Sequence, residues 1–185
     1  ADPANWDVAY TAGGIKQPIY VAQSATNQRQ PITVRPEVTR GPQGRGMMVV
    51  FGTGKYLEPN DELLNPTRLQ SFYGVLDRNT GTIVGDLLPA PGRGNLTRQT
   101  ITDEQTLSFG SNSYDVRSTS ANPLGTNRGW YIDLVSPSAG YQAEMQVTDP
   151  IIRDGRVIFT TLIPDSDPCS YGGSSWLMEM DALTG

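Results

Sequence analysis

The sequence contains no histidine, a single cysteine and no apolar run long enough to cross a bilayer. Each absence excludes something. Without histidine the chain lacks the usual general base at neutral pH and the commonest ligand of transition metals, which argues against most hydrolase mechanisms. Cys169 has no partner within the chain, so it is either a free thiol or half of a bridge to a cysteine elsewhere. A spanning helix needs about 20 consecutive apolar residues, so membrane insertion is not expected. No leader pattern stands at the start, which leaves open a leader already removed. The 14 Lys and Arg are outnumbered by 19 Asp and Glu and are scattered, so nucleic acid is not an expected partner either.

What is abundant is punctuation. With 20 Gly and 14 Pro in 185 residues, turns must take a large share of the chain and long helices are not expected. The apolar segments are built from Val, Ile, Thr and Tyr, which suit pleated, half-buried strands. The expectation is therefore an all-β protein.

An internal repeat organises the chain. Residues 71–81 (SFYGVLDRNTG) align without gaps on residues 175–185 (SWLMEMDALTG), at an offset of 104 (181 − 77). Upstream, GMMVVFGT at 46–53 matches GRVIFTT at 155–161, at an offset of 108 (159 − 51), and Pro36-Glu37-Val38 resembles Pro150-Ile151-Ile152. Each unit reads as strand, glycine-centred turn, strand, loop, strand and a closing Asp-x-x-Thr-Gly turn, with units at about 31–88 and 141–185 and an insertion-rich interval at 89–128. In that closing turn Asp77 or Asp181 can accept from backbone amides two or three residues on, and Gly81 or Gly185 can adopt positive φ, so these four residues are read as structural. Short antiparallel strands repeated in this way match the blades of a β-propeller, in which neighbouring sheets cover each other's faces.

Other segments give plainer expectations. Trp6 to Tyr10, Pro18 to Ala22, Thr82 to Leu88 and Gly129 to Leu134 read as strands, and Asn95 to Arg117 as an exposed hairpin or insertion. Tyr141 to Val147 alternates and should pair with a neighbour, while Asn60 to Arg68 has room for one helical turn limited by Pro66.

Few residues suggest chemistry. Asp165 and Asp167 place two carboxylates in one loop where calcium could bind with backbone carbonyls, but two ligands are few and a solvated acidic loop is the plainer reading. Asp77 and Asn79 fail as a calcium loop because Gly81 and Leu88 offer no side-chain oxygen at the fifth and twelfth positions. Gly52-Thr53-Gly54-Lys55 misses the phosphate-loop spacing. Trp130, Tyr131, Trp176, Phe72 and Tyr73 form a stacking surface or, more simply, the contact between sheets. Glu58, Asp61 and Glu62 have no fixed separation that would make a glycosidase pair. No cofactor is expected, with calcium the only candidate.

In order and spacing, Val49-Val50-Phe51-Gly52-Thr53-Gly54-Lys55-Tyr56-Leu57, Asp61, Gln70 to Asp77, Gly129 to Leu134, Thr160 to Pro164, Asp167-Pro168-Cys169 and Gly172 to Trp176 resemble the C-terminal β-propeller region of PilY proteins, relatives of the PilC adhesins of Neisseria. The resemblance implies a portion of a larger propeller, exported through the periplasm to the pilus tip or outer surface. It implies a non-catalytic part in type IV pilus biogenesis and adhesion, with minor pilins or other tip components and a host or abiotic surface as partners. It also implies a partner for Cys169 outside this chain. The family's acidic calcium loop and Arg-Gly-Asp tripeptide are not found here. The alternatives are a quinoprotein dehydrogenase fragment, since Asp-x-x-Thr-Gly turns recur in such propellers, and a purely structural scaffold for pilus assembly.

Overall fold

The computed structural model describes residues 7, 10–12, 14–78, 92–165, 167 and 172–185. The expected strand at Thr82 to Leu88, most of that at Trp6 to Tyr10, and Asn79, Gly81 and Cys169 lie outside the described residues. Among these residues the secondary structure is strand, with three 3-10 turns, and no helix is long and apolar enough to cross a membrane.

A five-stranded sheet holds β3 (Glu37–Arg40), β4 (Met47–Gly52), β5 (Ser71–Asp77), β9 (Gly129–Asp133) and β6 (Thr97–Gln99), in that order. Its first four strands are antiparallel, and β6 joins the far edge parallel to β9. A second sheet is the antiparallel trio β10 (Ile151–Arg153), β11 (Arg156–Thr160) and β14 (Leu177–Asp181). Three two-stranded ribbons complete the set: β1 (Tyr10–Ala12) with β2 (Ile15–Gln17), β7 (Ile101–Phe109) with β8 (Asn112–Thr119), and β12 (Ile163–Pro164) with β13 (Gly173–Ser174).

The two large sheets share one hydrogen-bond device. Thr53 N–H donates to Ser71 O (2.9 Å), and its Oγ1 accepts from Ser71 N–H (2.9 Å). Thr161 and Trp176 repeat both bonds, at 2.9 and 3.3 Å. With these threonines equivalent, β11 follows β4 at an offset of 108 (161 − 53), and the ladders place β10 after β3 at 114 (151 − 37). Both offsets agree with the sequence match. The third does not: β14 follows β5 at 105 (176 − 71), not at the 104 of the ungapped alignment. The Asp-x-x-Thr-Gly sequences match, but the strand before the second one is shifted by a residue, and in a structure of period two such a shift changes which face each side chain occupies.

The corrected register explains the packing. Met48, Val50, Phe72 and Leu76 on one face of the first sheet pack against Val157, Phe159, Met178 and Met180 of the second. The counterparts of those four are Val49, Phe51, Tyr73 and Val75, which line the opposite face of the first sheet beneath Ile19, Tyr20, Ala22 and Leu96. The sheets therefore stack front to back, as successive repeat units do. Phe72 and Phe159 meet with ring centroids 3.9 Å apart and planes 11° from parallel, while Trp130 lies beside Phe72 at 5.8 Å. Trp130 fits because Gly74 has no side chain: a Cβ there would stand 2.4 Å from the indole nitrogen.

Two local expectations change and a third holds in reduced form. Pro18 to Ala22 is not a strand; Pro18 has no N–H to donate, and the segment lies as an extended strap whose Ile19, Tyr20 and Ala22 cover the first sheet. Pro66 does not limit a helical turn but opens one, Pro66–Arg68, with the Asn65 side chain accepting from Thr67 N–H (3.1 Å). The segment 141–147 pairs with a neighbour as its alternation suggests, though by a single bridge rather than a strand: Met145 bonds reciprocally with Leu162, and Gln146 N–H donates to Thr53 O, so it links the two sheets.

Candidate functional site

Between the strap, the β4–β5 loop and the 141–147 bridge lies a cleft of about 410 Å³. Its shape depends on Asp61. One carboxylate oxygen accepts from the N–H groups of Leu57 (3.0 Å) and Glu58 (2.9 Å), closing the loop on itself, while the other stands 3.5 Å from Lys55 Nζ and 3.9 Å from Arg68. The Leu57 amide, followed by the Glu58 amide and Lys55, holds the Asp61 carboxyl below its ordinary range despite its desolvation. Lys55 is further held by Glu58 at 2.5 Å.

Arg29 and Arg68 bring cationic forks to the cleft, and Arg29 makes no ion pair among the described residues. Gln70 also lines it; its side-chain N–H donates to Arg68 O (2.6 Å), but its Oε1 is buried without a donor. Tyr141 and Met145 supply less polar wall. Ala143 completes the lining in a left-handed conformation, φ +56°, that a residue with a Cβ rarely adopts. The arrangement offers guanidinium donors and a phenol.

Two buried arginines hold the surrounding segments in place. Arg93, at the 3-10 turn Gly92–Asn95, donates to Asp133 Oδ1 (2.7 Å), Ser71 Oγ (2.7 Å), Tyr73 Oη (2.8 Å) and the Gln23 carbonyl. Its guanidinium lies 4.5 Å from the centre of the Tyr131 ring. Tyr73 in turn donates to Gln30 Oε1, so the strap is tied to the sheet. Burial pushes the Tyr20 phenol well above its ordinary pKa and raises that of Tyr73, against the pull of Arg93.

Arg117, on β8, donates to both oxygens of Glu144 (2.7 and 3.1 Å) and twice to Glu104 Oε1 (2.9 and 2.6 Å). Trp176 stacks on it at 4.2 Å. The other Glu104 oxygen accepts from Ser136 Oγ (2.5 Å) and Ser138 Oγ (3.2 Å). Desolvation alone would raise Glu104; the Ser136 hydroxyl and the Arg117 guanidinium outweigh it and hold the carboxyl below the usual range.

The residues singled out in the sequence fall elsewhere. Asp181 accepts from Leu183 and Thr184 N–H at 2.9 and 2.8 Å, and Gly185 has φ +80°. Asp77 ends β5, pairing across from Met47. Asp165 accepts from Asp167 N–H (2.9 Å) beside a more open depression that Ile163 and Ser174 also line. Among the described residues no three of His, Cys, Asp and Glu gather as a metal set. Phe72 and Trp130 lie in the inter-sheet core, Tyr73 and Tyr131 flank Arg93, and Trp176 stacks on Arg117. The sequence reading missed Arg29, Arg68 and Gln70 because arginines and glutamines in polar stretches look solvated; the signal for the buried pairs was Asp133, a charge inside an otherwise apolar strand.

Comparison with known proteins agrees with this architecture. Residues 2–113 match the family model of the PilY1 beta-propeller domain. The chain is similar to type IV pilus biogenesis factor PilY1 of Pseudomonas aeruginosa strain PAO1, 34% identical over 177 residues that cover 91% of this chain and 15% of that one. A PilY1 homolog of Xylella fastidiosa is 36% identical over 190 residues, covering 100% of this chain and 12% of its own length. The crystal structure of the P. aeruginosa PilY1 C-terminal domain superposes with a TM-score of 0.79 at 31% identity, covering 92% of this chain and 35% of that one. The chain thus spans 12–17% of the length of the curated relatives it matches. The front-to-back sheets are those of a β-propeller, and the chain belongs to the PilY1 β-propeller family.

Proposed function

We propose that the chain is a non-catalytic module of type IV pilus biogenesis and adhesion, acting at the pilus tip or outer surface against minor pilins or other tip components and an external surface. The observation that carries this reading is the likeness, over 92% of the chain, to the C-terminal domain of a protein named for type IV pilus biogenesis. The chemistry of the chain supports it. Two of its enclosed ionic clusters hold segments together: Arg93 with Asp133, and Arg117 with Glu104 and Glu144. The quinoprotein alternative rested on the Asp-x-x-Thr-Gly turn, and the Asp181 carboxylate is occupied by two backbone amides of that turn.

The test is an in-frame deletion of this segment from the parent gene, with the remaining protein confirmed by immunoblot. Surface piliation, twitching and attachment are expected to fall together. Normal values of all three would count decisively against the proposal.

A further inference from the structure

We infer that the β7–β8 hairpin is a self-association arm: two copies of the chain pair edge to edge through β7, antiparallel, with Leu107 on the two-fold axis. The inference stands on the hairpin and goes beyond the pilus reading.

The hairpin projects from the body. Every residue from 105 to 115 is exposed, while the base is tied down by Arg117 to Glu144 and by Glu104 to Ser136. Leu107 and Tyr114 are cross-strand partners, and strand alternation puts Phe109 on their face. These three side chains are 47, 53 and 84% exposed, an apolar face of the kind that marks contact with another molecule.

The strand edges decide what kind of molecule it meets. Among the described residues β7 and β8 pair only with each other, so each keeps an outer edge of unpaired backbone groups. Such edges are ordinarily blunted by Lys, Pro or a bulge. Residues 101–116 contain no Lys, Arg or Pro, and the register irregularity lies at the base, between Ile101 and Asp103. A bilayer would leave these N–H and C=O groups unpaired in hydrocarbon, at high cost, whereas another strand satisfies them.

Register and charge make that strand a second β7. The turn of Gly110 and Ser111 closes the hairpin on Phe109 and Asn112, which form a hydrogen-bonded pair in a two-residue hairpin. By alternation Thr106 and Ser108 then direct their N–H and C=O groups to the outer edge of β7. With Leu107 facing its own copy, Thr106 of each copy exchanges bonds with Ser108 of the other. Residues 105–114 carry no charge, and this register sets Glu104 opposite Gly110 and Asp103 opposite Ser111, so a chain of net charge −5 opposes no like charges across the pair. The β8 edge is less suited, because Asp115 interrupts it. The Leu107 and Phe109 side chains of both copies gather on one face of a four-stranded sheet, beside Tyr114.

Sedimentation velocity of the chain over roughly 10 μM to 1 mM tests the inference, since a contact of this size gives a weak dimer. A monomer–dimer equilibrium is expected, with amide exchange slowing at Thr106 and Ser108 as concentration rises. Two exposed substitutions separate edge from face. Ser108→Pro removes an outward N–H while leaving the hairpin's own ladder its donors, and Leu107→Lys sets two cations against each other on the axis. Each should weaken the dimer at least about tenfold with an unchanged melting midpoint. A chain that stays monomeric throughout, a dimer that survives either substitution, or slowed exchange elsewhere with none at Thr106 and Ser108 would each overturn the assignment. So would a monomer that co-sediments with phosphatidylcholine vesicles and loses them in Leu107→Lys, which would give the arm to a bilayer.

Discussion

Arg93 and Arg117, both with enclosed guanidinium groups, solve the same problem with different surroundings. Arg93 faces one carboxylate, Asp133, and spreads its remaining donors over neutral oxygens between two tyrosine rings. Arg117 faces two carboxylates, Glu104 and Glu144, so its site carries more negative than positive charge when both are ionised. The first arrangement fastens the N-terminal strap to the outer face of the five-stranded sheet; the second fastens the β7–β8 hairpin to the 136–145 segment and the second sheet. A buried cation is thus held either by a matched partner within a polar, aromatic cage or by an excess of opposite charge. The two should fail under different conditions.

The largest effect that would sharpen the contrast comes from removing each cation. Arg117→Met leaves two carboxylates buried without their partner and should cost about 3–5 kcal/mol. Arg93→Met leaves Asp133 with the Ser71 hydroxyl still donating at 2.7 Å, so the cost should be nearer 1–3 kcal/mol. Urea denaturation of both variants checks the order. An equal or reversed ranking breaks the comparison.

Next comes pH. Glu104 has a depressed folded pKa, so its stabilisation is fully present above the unfolded value of about 4.3 and is lost as pH falls through the folded value. Acid should therefore loosen the hairpin first, seen as a shift of the Trp176 indole resonance. Tyr20 and Tyr73 have raised folded pKa values, so stability is whole below about pH 10 and declines as pH rises above that unfolded value. Alkali should loosen the strap, seen as exposure of tyrosinate absorbance during unfolding. A chain whose hairpin and strap release together at both extremes would abolish the distinction.

The smallest effects test the rings. Tyr131→Leu and Trp176→Leu each remove a cation–π contact and should weaken their sites by about 0.5–2 kcal/mol. Combined with the arginine variants in double-mutant cycles, they give the ring contribution at each site; a coupling of zero at both would leave the cages explained by hydrogen bonds alone.

Much of the architecture was legible in the sequence because it rests on periodicity and punctuation. β3, β4, β9, β10 and β11 stand where strand composition placed them, and the offsets of 114 and 108 are those of the ladders. The 104 offset misled for a physical reason. A turn motif is conspicuous in residue identity, but strand register is set by pairing, and the Thr161–Trp176 bonds fix it one residue away. β6 escaped notice because three residues, Thr97 to Gln99, carry too little pattern to reveal a parallel edge strand. The cleft was invisible for a different reason: Arg29, Gln70 and Tyr141 come from three separate segments, and only the fold brings them to one wall.

One contact has a mechanical meaning. The Trp130 indole N–H, on a strand of the first sheet, donates to Ala182 O beyond the last strand of the second, at 3.3 Å, and the ring is wholly buried. Sliding one sheet over the other would strip a donor from its acceptor where water cannot replace it. Tension crossing this pair is therefore resisted in shear at this tryptophan as well as through the 141–147 link, and the sheets should move under load as one body.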